Sequence, residues 1–292
     1  MVTDVQRRDP EGDRKGSPKS DRKGSPKGAN VSPNDTPLLR LVDVYKSFDG
    51  LVVLDGIDLS LRRGETTVII GESGAGKSVI LQHMVRLLKP DKGAVYYADT
   101  RIDNLPERML VPIRSRFGFL FQQSALFDSM NVGENIAFPI RQHTRQSDEE
   151  IDRCVRKKLE MVGLDGLQSK WPAELSGGQK KRVALARAIA LDPELVFYDE
   201  PTTGLDPPRA DEINELIRKL QREIGVTSVV VTHDMVSARK VADRILMLYE
   251  GKFIFDGTPD EIMKTKDPRV RCFVEGKCPD DVLQSLNVKD QS

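Results

Sequence analysis

The sequence predicts an α/β fold: a largely parallel core sheet, an antiparallel β-layer ahead of it, and a helical subdomain inserted into it. Three observations carry this reading. In the second half of the chain, short apolar and β-branched runs alternate with helical periodicity, the pattern of a parallel sheet layered with helices. Gly71–Ser78 reads Gly-Glu-Ser-Gly-Ala-Gly-Lys-Ser, a phosphate-loop pattern, and it falls between a buried-looking strand and a helix, as its chemistry requires. From about Val132 to Val162 the spacing turns helical, with Ile151, Val155, Leu159 and Val162 recurring along one face.

Taken in order, residues 1–37 carry a direct repeat, Asp13-Arg-Lys-Gly-Ser-Pro-Lys19 and Asp21-Arg-Lys-Gly-Ser-Pro-Lys27, and almost nothing able to join a core. They are read as a disordered tail. Its cations could touch anionic lipid headgroups, but their excess over acids is small and a solvated tail is the favoured reading. Ser17 and Ser25, each before a proline, are candidate phosphorylation sites. Residues 38–265 form one domain, with the helical subdomain at about 123–190, and residues 266–292 form a C-terminal extension read as a protein contact.

Within the domain, Leu39–Val44, Val52–Leu54 and Ile57–Leu61 are expected strands of the antiparallel layer, followed by the turn Arg62-Arg63-Gly64-Glu65 and the core strand Thr66–Ile70. A helix is expected from Lys77 to Leu87, a turn at Pro90-Asp91-Lys92-Gly93, and strands at Ala94–Tyr97 and Phe117–Phe121. After the helical block come a helix to about Leu191, the strand Leu195–Tyr198, a helix from Pro207 to Ile224, and strands at Ser228–Val231 and Ile245–Tyr249.

Composition narrows the function. Lys+Arg and Asp+Glu number 45 each, so no global field favours a polyanion and no nucleic-acid partner is expected. Cys154, Cys272 and Cys278 show no C-x-x-C spacing and are expected to be free thiols in a reducing compartment. No run of about eighteen apolar residues exists, and the charged N-terminus has no secretion-signal core, so any membrane work is expected to pass through partner subunits. With 292 residues, one large domain plus tails is the expected organisation.

The phosphate loop, Gly71, Glu72, Ser73, Gly74, Ala75, Gly76, Lys77 and Ser78, aims successive backbone N–H groups at one anion, with Lys77 for the β/γ-phosphates and Ser78 for Mg²⁺. Asp199 ends an apolar strand at the sheet's carboxyl edge, where a carboxylate can hold Mg²⁺. Ser176, Gly177 and Gly178, in Leu175-Ser-Gly-Gly-Gln179, open a helix whose unpaired N–H groups and positive dipole end suit a phosphate.

With the phosphate loop, Leu-Ser-Gly-Gly-Gln and Val196-Phe-Tyr-Asp-Glu-Pro201, the chain closely resembles ATP-binding cassette (ABC) ATPases over roughly Leu38 to Lys264. The resemblance implies a P-loop NTPase ABC cassette with a RecA-like core, ATP and Mg²⁺ as cofactors, and hydrolysis of ATP. It implies Glu200 as the base that polarises the attacking water, His233 as the switch histidine at the γ-phosphate, and Lys77 beside them. Gln122 corresponds to the Q-loop glutamine that touches Mg²⁺ and water; the neighbouring Gln123 is its rival, and Gln122 directly follows Leu120-Phe121 as in the family pattern. Phe48 corresponds to the adenine-stacking aromatic, with Tyr45 as alternative, and Asp206 to the acid at the contact between cassettes. Ser176, Gly177, Gly178 and Gln179 would bind the phosphate held by a second copy of the chain. Val79 departs from the usual Thr or Ser, and its missing hydroxyl predicts weaker nucleotide affinity.

Ser124–Val132, Glu200–Pro207 and Asp267–Gly276 further resemble the ATPase of Mla/Mce-type phospholipid transport systems. That resemblance implies transmembrane permease subunits, an Mce-domain lipid-binding protein, a STAS-domain regulator as a further candidate, and a position on the cytoplasmic face of the inner membrane. A polar amino acid importer ATPase is the runner-up, followed by an iron-sulfur assembly subunit.

Overall fold

The central strands of the larger sheet are buried along most of their length, because both of their faces are covered. The computed structural model describes residues 36–277; the N-terminal repeat, Ser17, Ser25 and Cys278 lie outside the described residues. The chain opens with β1 (Leu39–Phe48), β2 (Leu51–Leu61), β3 (Thr66–Ile70), α1 (Lys77–Met84), β4 (Lys92–Tyr97), β5 (Thr100–Arg101), α2 (Glu107–Arg114) and β6 (Phe117–Leu120). Then follow α3 (Val132–His143), α4 (Asp148–Met161), a 3₁₀ turn (Pro172–Glu174) and α5 (Gly177–Ala188). The remainder is β7 (Leu195–Asp199), α6 (Pro207–Ile224), β8 (Thr227–Thr232), α7 (Met235–Val241), β9 (Arg244–Tyr249), β10 (Lys252–Gly257), α8 (Pro259–Ile262) and α9 (Pro268–Glu275).

Two sheets result. β2-β1-β4-β5 is antiparallel, and β10-β9-β3-β8-β7-β6 is parallel apart from β10. Alternate residues of the parallel strands feed two cores, because side chains alternate across a strand. Val68, Ile70, Val196, Tyr198 and Val230 pack with the helices, including α3–α5. Ile69, Leu195, Phe197, Val229 and Val231 pack with α1 and the antiparallel layer.

The helices begin where local chemistry directs. Asn131 with Glu134, and Ser147 with Glu150, form capping boxes for α3 and α4. Asp206 caps α6, Pro207 stands at its first position, and Gly225 closes it in the left-handed region at φ 65°.

Several elements differ from the expected ones. β2 runs unbroken through Asp55-Gly56, α1 stops at Met84, and α2 forms although Pro112 lies inside it. The expectation of free thiols holds for Cys154 but not for Cys272, which is disulfide-bonded. The described part of the C-terminal extension packs on its own chain: Val270 is buried in the helical core, and the Arg269 guanidinium lies 5.7 Å from the Tyr249 ring.

Candidate functional site

Strand register assembles the site. Ile70 pairs with Thr232, Asp199 with Val231 and Leu120 with Tyr198. The loops that leave β3, β8, β7 and β6 therefore emerge side by side at the carboxyl edge of the sheet, where open α/β sheets bind ligands. They begin with Gly71, His233, Glu200 and Phe121-Gln122.

The first loop curls around its own lysine. Lys77 Nζ donates to the carbonyls of Gly71 and Glu72, each at 2.8 Å. Burial pulls the ammonium below the usual lysine range, while Glu200 and Asp199 oppose that shift. Two glycines make the tight path possible: a Cβ on Gly71 would sit 2.5 Å from the Leu248 carbonyl oxygen, and one on Gly76, at φ 100°, would sit 2.9 Å from Val53. Glu72, Ser73 and Gly74 are exposed at the rim, Ala75 is half-buried, and the Val79 side chain packs into the core beside them.

Ser78 Oγ donates to Asp199 Oδ1 at 3.0 Å. Burial pushes the Asp199 carboxyl above its usual range, with the Ser78 hydrogen bond pulling the other way. A hydroxyl beside a partly buried carboxylate, next to a loop whose backbone N–H groups can hold a phosphate, offers the oxygen donors that hard Mg²⁺ prefers, so these residues fit that ion.

Glu200 is held from several sides. Its backbone lies in the left-handed region at φ 49°, unusual for a residue with a Cβ, and its N–H donates to the Val231 carbonyl. Its carboxylate accepts from Thr203 Oγ1 at 3.0 Å and Thr232 Oγ1 at 3.4 Å, and His233 Nδ1 lies 3.0 Å away. Gln122 is exposed, and its carbonyl accepts from Lys181 Nζ at 2.6 Å.

The remaining predicted residues stand apart from this group. Ser176 caps α5, its Oγ accepting from Gln179 N–H while the Gln179 side chain accepts from Ser176 N–H. Among the described residues, no hydrogen bond or ion pair joins Ser176–Gln179 to the phosphate loop, Asp199, Glu200 or His233. Asp206 is exposed and accepts from Arg209 N–H, as the α6 cap. Phe48 is 40% exposed, with the Lys46 ammonium 5.2 Å from its ring. Tyr45 is engaged in packing instead: its ring lies under Lys92, its hydroxyl hydrogen-bonds Asp43, and the same hydroxyl limits the space at Gly56.

Residues 54–203 match the family profile described as ABC transporter. The chain is 40% identical over 239 residues to the probable ribonucleotide transport ATP-binding protein mkl of Mycobacterium leprae, covering 82% of this chain and 69% of that protein. It is equally 40% identical over 226 residues to the intermembrane phospholipid transport system ATP-binding protein MlaF of Haemophilus influenzae, covering 77% and 86%. It also superposes with TM-score 0.71, at 34% identity, on the dimeric post-hydrolysis ATP-binding cassette MJ0796 bound to ADP and Pi, covering 76% of this chain and 98% of that one. The chain belongs to the ABC transporter family.

This ABC ATPase carries site neighbours that sequence reasoning missed. Thr203 and Thr232 hold the Glu200 carboxylate, and Lys181 lies behind it with its Nζ 3.3 Å from the Glu200 carbonyl oxygen. Thr203 and Thr232 flank quoted motifs, so position alone could have raised them; nothing local marks Lys181. Beside Gln122 the ABC cassette also presents an aromatic groove of about 400 Å³, lined by Phe119, Phe121, Phe127, Phe138 and Arg187. Among the described residues no helix is long and apolar enough to cross a membrane.

Proposed function

We propose that this ABC ATPase powers an Mla/Mce-type transporter that moves phospholipid between membranes, working as a head-to-tail pair. The division of the site supports the dimer reading: the phosphate loop, Asp199, Glu200 and His233 are assembled at one sheet edge, while among the described residues the Ser176 helix start shares no hydrogen bond or ion pair with them. In this reading Mg-ATP lies on the phosphate loop of one copy and meets Ser176, Gly177 and Gly178 of the other.

Lys77 would neutralise the β/γ-phosphates, and Ser78, Asp199 and Gln122 would hold Mg²⁺, which when bound would supply further charge neutralisation at the phosphate oxygens. Glu200 takes the proton of the attacking water as the water oxygen bonds the γ-phosphorus and the bond to ADP breaks. His233 Nδ1 lies within hydrogen-bond reach of the Glu200 carboxylate and donates to it, which fixes the carboxylate; only with both ring nitrogens protonated would Nε2 also donate to the γ-phosphate. Phe48 offers a π-face to adenine, and Asp206 lies at the contact between copies.

The exposed aromatic groove beside Gln122 suits an apolar segment of a permease subunit, because Phe121, Phe127 and Phe138 are 41%, 41% and 36% exposed. Docking there would hold the chain on the cytoplasmic face of the membrane. Phospholipid as cargo is supported by the resemblance to MlaF over most of that protein's length; an Mce-domain partner and a STAS-domain regulator belong to the same proposal.

Affinity purification of the tagged full chain from detergent-solubilised membranes, followed by mass spectrometry, tests this directly. A multi-span permease, an Mce-domain protein and enriched phospholipid are expected. A periplasmic-type amino acid or nucleotide binding protein in their place would overturn the lipid assignment, and iron-sulfur assembly proteins without a permease would overturn transport.

A further inference from the structure

Lys181 is a buried cation that, among the described residues, hydrogen-bonds no carboxylate; Glu200 and Asp199 act on it only through space. It lies in the second turn of α5 at 5% exposure and forms no ion pair among the described residues. Removing an ammonium from water is costly unless hydrogen bonds replace the lost hydration. Here two backbone carbonyls do so, those of Gln122 at 2.6 Å and Glu200 at 3.3 Å. These acceptors belong to different loops, 59 and 19 residues away along the chain, and both loops leave the carboxyl edge of the sheet.

Both loops need support at those points. Glu200 sits in the left-handed region at φ 49°, and the loop after Gln122 passes through Ser124 and Ala125 at φ 63° and 46°. Non-glycine residues hold such conformations only where surrounding contacts over-determine them. One turn and a half further along α5, Arg187 Nη2 donates to the Ser124 carbonyl at 3.0 Å, so the same helix grips the second loop twice. α5 also begins at Gly177, the helix start that the dimer reading aims at the neighbour's nucleotide.

We propose that Lys181 is a positioning residue for hydrolysis: from the flank of α5 it sets the backbone of Glu200 and Gln122, so that turnover follows the placement of that helix. Lys181 does not reach the reacting atoms through this geometry; it acts through the carbonyl of the base. The inference rests on the assignment of Glu200 as base, and its test separates the two.

The full chain, purified with its membrane partners, is compared as Lys181→Met, Lys181→Arg and Glu200→Gln, measuring ATPase kcat and KM together with ATP affinity. Small displacements of a catalytic group cost up to about 100-fold, so Lys181→Met is expected to lose about 30-fold in kcat with KM changed less than about twofold. Lys181→Arg, which restores donors, is expected to recover most of that loss. If Lys181→Met fails to fold, Lys181→Gln, which can satisfy one carbonyl, carries the same comparison and is expected to lose kcat with ATP affinity intact.

Unchanged kcat in the folded Lys181 variants, with Glu200→Gln inactive, overturns the role of Lys181 alone. A loss that appears in ATP affinity and not in kcat, or that arginine fails to restore, overturns it as well. Turnover in Glu200→Gln overturns the assignment of the base and this inference with it.

Discussion

In the proposed reading the sheet edge and the start of α5 both meet phosphate, yet only the first has its groups tied together within the chain. At the edge, Lys77, Ser78, Asp199 and Glu200 already have partners drawn from three strands and their loops. At the start of α5, Ser176 and Gln179 satisfy only each other. Gly177 beside them is exposed, and its nearest neighbour is the Leu205 side chain. A helix start with a self-contained cap needs no ligand to be stable, so it can wait for one carried by another molecule. On the proposed dimer, the contrast is that of a half-site preorganised within the chain against a half-site that association would complete.

The largest effect expected from this contrast is complementation. Lys77→Ala removes the preorganised half, and Gly177→Asp sets a negative charge at the waiting half in a place where a Cβ meets only ordinary contacts. Each variant alone is expected to be inactive. Mixed in equal amounts, random pairing leaves about a quarter of the composite sites intact, and phosphate release should return to about that fraction. A mixture that stays inactive would mean that both halves serve one nucleotide on one chain, and the comparison would collapse.

A smaller effect is expected within the preorganised half. Thr203→Val deletes a hydrogen bond to the Glu200 carboxylate, worth about 1.5 kcal/mol or more for a charged acceptor, so kcat should fall about tenfold. Thr203→Ser should restore it, and ATP affinity should stay constant in both; calorimetry beside steady-state kinetics reads the two quantities. An equal loss in Thr203→Ser would show that the methyl group, and not the hydroxyl, supports Glu200.

The smallest effect sharpens how preorganised that half is. Val79 brings no hydroxyl to the helix start at the phosphate loop, and Val79→Thr should add about 1 kcal/mol of hydrogen bonding to phosphate, tightening ATP about fivefold by calorimetry. Unchanged affinity would show that the backbone N–H groups already saturate the nucleotide there.

How much of this was legible depended on the distance over which the cause acts. α6 was readable to both ends because its cap at Asp206, its proline at position 207 and its closing Gly225 are local signals. The phosphate loop was readable because glycine, lysine and serine must stand at fixed spacing for backbone N–H groups to converge. α2 was not, since Pro112 argues against a helix and Leu110 is its one buried side chain. β2 was read as two strands because Asp55-Gly56 resembles a break, whereas pairing with β1 carries the strand across it. The neighbours of the two aromatic candidates, Lys46 beside Phe48 and Asp43 and Lys92 beside Tyr45, are set by the packed fold and leave the choice between them a proposal.

By itself the sequence determined which groups are proposed to meet a nucleotide, because the spacing of the phosphate loop, the apolar run ending at Asp199 and the helix-opening Ser-Gly-Gly are properties of contiguous residues. Only the tertiary structure decided how those groups are held. The register of four parallel strands set Gly71, His233, Glu200 and Gln122 side by side, and packing brought Thr203, Thr232 and Lys181 against Glu200. Those supports come from separate elements, and a carbonyl selects its donor by proximity in the packed fold, not by position along the chain.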